Sequence, residues 1–138
     1  MAIRIDLTLD CHDAELLAAF WKLALGYEDE PPPAPFATRD EWVASFGEED
    51  DGLGGAWLRD PEGVGPRLSI LQVPEPKVAK NRLHIDVRVA GAGPPEERWG
   101  RIAAKVEQLE AAGATVLRLS EGHHAVLADP EGNELCVC

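Results

Sequence analysis

The 138-residue sequence is short of positive charge. Its 13 Lys and Arg stand against 25 Asp and Glu, giving a formal net charge of -12 and a pI near 4.6. Nucleic acid and anionic membrane surfaces both demand a basic footprint, so no nucleic-acid or membrane partner is expected. Serine is scarce as well: Ser45, Ser69 and Ser120 are the whole supply, and none lies in a G-x-S-x-G elbow or a triad context. There is no phosphate-cradling glycine loop and no C-x-x-C. No apolar run approaches the ~20 residues of a membrane span. The opening MAIRIDLTLD alternates like a strand and lacks the basic-then-apolar pattern of a signal peptide. Cysteine is limited to Cys11, Cys136 and Cys138, and the last two lie two apart on one apparent strand, a poor geometry for a disulfide. A reduced, cytoplasmic setting is the expectation.

What is present is apolar material, 45% of the residues, enough for one globular domain over 1–138. Read for repeats, that domain divides in two. Ile3 to Leu9 is an expected strand. Asp13 caps an expected helix through AELLAAFWKLAL, with Leu16, Phe20 and Leu23 on its apolar face and Gly26 as its left-handed stop. Leu83 to Val89 is again an expected strand. A helix from about Pro95 follows, with Ile102, Val106 and Leu109 at helical spacing and Gly113 as its stop. Each half then closes alike. AWLRDPEG (56–63) leads into RLSILQV (67–73), and AVLADPEG (125–132) leads into NELCVC (133–138). In both, a strand enters an Asp-Pro-Glu-Gly turn and another leaves it. The spacing predicts an α+β fold of two tandem βαβββ modules, about 1–76 and about 80–138.

The first module carries an insertion over about 30–52. Within it Thr38 and Glu41 form a capping box and Trp42 pairs with Phe46 at (i, i+4), which predicts a short helix. Phe36, Trp42 and Phe46 on a polyproline lead-in either cap a pocket or anchor the loop to the core.

KNRLHIDVRV, 80–89, carries the chemistry. Leu83, Ile85 and Val87 alternate with His84, Asp86 and Arg88, the period of a strand with one buried face. Either the ionisable row is solvated surface or it looks into a cavity.

Taken together, the paired modules, HDAELLAAFWKLALGYE, KNRLHIDV and DPEGNELCV resemble the vicinal oxygen chelate superfamily, in its glyoxalase-like, bleomycin-resistance-like branch. The resemblance implies sheets curled around a cavity, helices outside, a bound small molecule and a homodimer. It sets Leu83, Ile85 and Val87 against helices and turns His84, Asp86 and Arg88 inward. For metal-dependent members it implies a ligand set of Asp6, Gln72, His84 and Cys136, with Cys136 standing where the family pattern has a Glu. That set mixes hard and soft donors, so one divalent ion (nickel, zinc, manganese or iron) is weighed against none. As an enzyme of lyase, isomerase or dioxygenase type, the chain would use Glu134, His84 and Asp86 for proton transfer and electrostatic stabilisation. As a metal-free binding or drug-sequestering module it would hold a ligand with Gln72, Arg88, Trp42, Trp57 and Cys136. Trp21 and Trp99 are expected in packing, and a polar network of His84, Asp86 and Arg88 with Glu134 is the structural alternative.

Overall fold

The computed structural model describes residues 1–47 and 53–138. Its elements are β1 (Leu7–Cys11), α1 (Ala14–Leu25), β2 (Glu28–Asp29), α2 (Arg39–Ala44), β3 (Gly55–Arg59) and β4 (Leu68–Gln72). They continue with β5 (Ile85–Val87), α3 (Pro95–Ala111), β6 (Thr115–Ser120), β7 (His124–Ala128) and β8 (Glu134–Val137). With α2 set aside, the order is βαβββ twice. The two four-stranded sheets repeat it in space, as β1-β4-β3-β2 and β5-β8-β7-β6. In each, the first strand runs parallel to the last and the other neighbours are antiparallel.

Local chemistry sets the ends of these elements. Asp13 accepts a hydrogen bond from the Leu16 amide at 3.0 Å, and Gly26 closes α1 at φ 70°, where a side chain would be strained. The buried face of α1 includes the expected Phe20 but not Leu16 and Leu23. Ala14, Leu17, Ala18, Phe20, Trp21 and Ala24 are buried, whereas Leu16 and Leu23 are 45% and 36% exposed. The sheet takes the stripe with small residues, because alanine lets backbone layers approach closely around Trp21. In α3 the expected Ile102, Val106 and Leu109 are buried.

Two strands are shorter than their alternation suggests. β1 starts at Leu7, whose amide donates to the Arg67 carbonyl. Ile3 and Ile5 therefore lie outside the sheet and exposed. β5 spans only the residues that face Leu135, Cys136 and Val137 of β8. Ile85 and Val87 pack toward the core as expected, but Leu83 precedes the strand and is 76% exposed. No helix among the described residues is long and apolar enough to cross a membrane.

Candidate functional site

Register fixes what each sheet presents. In the first module Leu58, Leu68 and Ile70 point to the helices and are buried. Trp57 lies directly opposite Ser69, and Ser69 beside Thr8, so these three share the other, open face. The inserted α2 roofs that face. Its capping box is formed, with Thr38 accepting from the Glu41 amide. Trp42 meets Trp57 edge to face, with ring centroids 5.1 Å apart, and Phe46 packs on Trp42 at 4.7 Å. The Arg39 guanidinium sits 4.8 Å from the Trp42 ring and 4.6 Å from the Trp57 ring. Its Nη2 donates to the carbonyls of Glu30 at 2.7 Å and Pro31 at 3.2 Å. α2 buries none of its residues, so these contacts rather than core packing hold it in place. The expected insertion continues into residues 48–52, outside the described residues.

Beside this roof lies a hollow of about 460 Å³. Arg67 reaches across it, donating from Nη2 to Glu30 at 2.5 Å and from Nη1 to Asp6 at 3.3 Å. The Glu30 hydrogen bond raises the Arg67 pKa, so the guanidinium stays charged. Neither arginine announced itself in the sequence, although Arg39 stands three residues before Trp42 on the same helix, a spacing that stacks side chains.

The open face of the second module carries the ionisable row. His84 Nε2 lies 3.2 Å from Asp86 Oδ1, and their side chains are 55% and 48% exposed. Asp86 is paired with Cys136 across the parallel ladder. Burial pushes the Cys136 thiol up to about 11, aided by Cys138 and Asp86. Glu134 accepts from Lys80 Nζ at 2.8 Å and from the Asn81 amide at 3.0 Å. The Lys80 hydrogen bond holds this carboxyl below its ordinary range. Within the chain, Glu134 belongs to the connector between modules rather than to the His84–Asp86 pair. Arg88 follows β5 and is exposed.

The four residues suggested as metal ligands do not converge within one chain. Asp6 precedes β1 and is paired with Arg67. Gln72 continues the parity of Leu68 and Ile70, so it turns to the helix side, where its Oε1 accepts from the Gly54 amide at 3.2 Å. Leu71, not Gln72, falls on the open face. His84 is engaged by Asp86, and Cys136 lies across the ladder from that aspartate. Among the described residues no group of three His, Cys, Asp or Glu side chains is placed to hold an ion. This donor set does not fit a divalent metal.

A family model described as a glyoxalase-like domain matches residues 6–138. The chain belongs to that family. Its membership places it in the vicinal oxygen chelate superfamily, and solved structures agree on the fold. The fosfomycin resistance protein FosX of Listeria monocytogenes is 14% identical with a TM-score of 0.64, covering 99% of this chain and 90% of its own. Another structure of that protein is a complex with Mn(II) and sulfate ion. A glyoxalase/bleomycin resistance protein/dioxygenase family enzyme from Burkholderia phytofirmans is 18% identical with a TM-score of 0.58, covering 96% and 97%. No curated protein matches in sequence. Identities this low establish the glyoxalase-like fold, and the ligand must be argued from the site itself.

Proposed function

We propose that this glyoxalase-like protein is a metal-independent binding module that holds a small organic molecule in the hollow beside the roof of its first module. The observation that carries this reading is the roof itself. Trp42 and Arg39 on α2 close over Trp57, leaving a walled hollow beside them. The hollow's lining sets one aromatic wall, Trp42, and two prolines beside fixed charged groups, the mixture that ligand sites in proteins are made of. The ionisable residues suit this reading better than catalysis. Glu134 is neutralised by Lys80 and Cys136 stays protonated, so neither is poised to move a proton near pH 7.

A second copy of the chain belongs to the proposal. Among the described residues the His84–Asp86 face carries no roof like α2, and Leu83, Leu117 and Leu119 are exposed beside β5 and along the β6 edge. Exposed leucines of this kind are buried at little cost against a second copy in a homodimer. An enzyme reading draws on the same His84–Asp86 pair, whose half-exposed side chains would then meet groups from the partner.

The test is a tryptophan-fluorescence screen of aromatic and oxygen-rich small molecules on the protein and on Trp57→Phe. Saturable quenching that Trp57→Phe weakens is the expected result. Ligands that bind both proteins equally would overturn the placement, and sedimentation of the unliganded protein as a monomer would overturn the dimer.

A further inference from the structure

We propose that the hollow beside α2 is an oxyanion site, taking a carboxylate or phosphoryl group carried on a flat apolar body. This deepens the binding reading above and rests on it. The first argument is charge. In a protein with net charge -12, this hollow is lined by Arg4, Arg39 and Arg67 against Asp6 and Glu30, a local balance of +1 (three minus two). Both carboxylates are already engaged, Glu30 by Arg67 and Arg39 and Asp6 by Arg67. They compete little for a further cation and leave the excess charge to an anion.

The second argument is unused donors. Arg67 commits both terminal nitrogens to Glu30 and Asp6, yet its Nε is buried without an acceptor. That nitrogen is sealed from solvent, so the donors open to a ligand are those of Arg39 and Arg4. Arg39 spends only Nη2, on two backbone carbonyls and the Glu30 carboxylate. Arg4 makes no hydrogen bond or ion pair among the described residues.

The third argument is fixed geometry. Arg39 rests against two indole rings and is tied to two carbonyls, so its remaining N–H groups are restrained before a ligand arrives. The Trp42 ring and the prolines Pro31 and Pro33 complete the wall. They offer flat apolar surface next to guanidinium forks, which suits an aromatic acid better than a small inorganic ion.

Calorimetric titration of the full chain with benzoate, phenyl phosphate and the neutral isostere benzamide tests this. Expected is one-site binding of at least one anion, at least about tenfold tighter than benzamide and weakened by salt. Arg67→Gln should weaken it about tenfold or more. That variant also loses the Glu30 and Asp6 pairs, so Arg4→Gln, at an exposed and unpartnered residue, serves as the second. The affinity difference between benzoate and phenyl phosphate tells which oxyanion is preferred. Binding of benzamide as tight as that of the anions would overturn the oxyanion site and leave the small-molecule reading standing. No binding of any of the three, together with an empty fluorescence screen, would overturn both. Anion binding unchanged in Arg4→Gln and Arg67→Gln alike would place the anion elsewhere and overturn the proposal.

Discussion

Trp21 of the first module donates its indole N–H to Asp129 of the second, Nε1 to Oδ2 at 3.1 Å, with both residues buried. Asp129 is the aspartate of the second Asp-Pro-Glu-Gly turn. It also accepts from the Glu131 and Asn133 amides and from Asn133 Nδ2. Two residues on, Glu131 accepts from the His12 and Asp13 amides, so the same turn satisfies the free N-terminus of α1. The modules are clamped by one turn of the second against one helix of the first.

Trp21→Phe should therefore cost about 1–3 kcal/mol, because a buried carboxylate loses a donor. Asp129→Ala should cost more, since it strands the Trp21 indole and the Asn133 amide together. Urea unfolding of both variants checks the order, and equal midpoints would show that the clamp is not under load.

Acid stability should depend on Glu134. Its folded pKa lies below the ordinary 4.5, chiefly through the Lys80 hydrogen bond. A depressed acid stabilises the fold above its unfolded pKa and loses that contribution as pH falls through the native value. Glu134→Gln should thus lower stability at neutral pH and flatten the decline below about pH 4.5. Unfolding midpoints measured from pH 3 to 7 test this, and parallel curves for the two proteins would contradict it.

The Cys136 thiol should be slow to alkylate. With its pKa raised to about 11 from 9.0, the thiolate fraction at neutral pH falls about a hundredfold. The greater nucleophilicity of a more basic thiolate recovers part of that, leaving a rate about tenfold below a free cysteine's. Peptide-resolved iodoacetamide labelling at pH 7.5 measures it. Labelling of Cys136 as fast as glutathione would mean that the thiol is neither buried nor flanked by Asp86.

Thr38→Ala should loosen the roof and leave the fold intact. The lost cap costs about 1 kcal/mol, but α2 buries no residue, so the global unfolding midpoint should barely move. Near-ultraviolet dichroism from the Trp42–Trp57 contact should fall. A drop in midpoint with unchanged dichroism would show that α2 is core structure instead.

Much of this architecture was legible in the sequence. The two Asp-Pro-Glu-Gly turns, the Asp13 and Thr38 caps and the Gly26 stop each act over a few residues, so they could be read one residue at a time. Facing was harder, because it depends on the partner. Leu16 and Leu23 are as apolar as Leu17, yet the sheet selected the stripe that includes Ala14 and Ala18. Gln72 matches the family's final-strand ligand position, yet it shares the parity of Leu68 and Ile70 and so turns to the helix side. Leu83 alternated correctly, but β8 offered it no partner. At the site, Trp42 and Trp57 stood out as aromatics, whereas Arg39, Arg67 and Glu30 looked like ordinary surface charge. Only the long-range pairing of β2, β3 and β4 brings them together.

The most direct test of metal-independent binding is a thermal-shift titration of chelator-stripped protein with benzoate and phenyl phosphate, repeated after adding Mn(II). Stabilisation that is present without metal, unchanged by Mn(II) and lost in Trp57→Phe is the expected result. Stabilisation that appears only with Mn(II) and disappears in His84→Ala would contradict it and move the site to the second module.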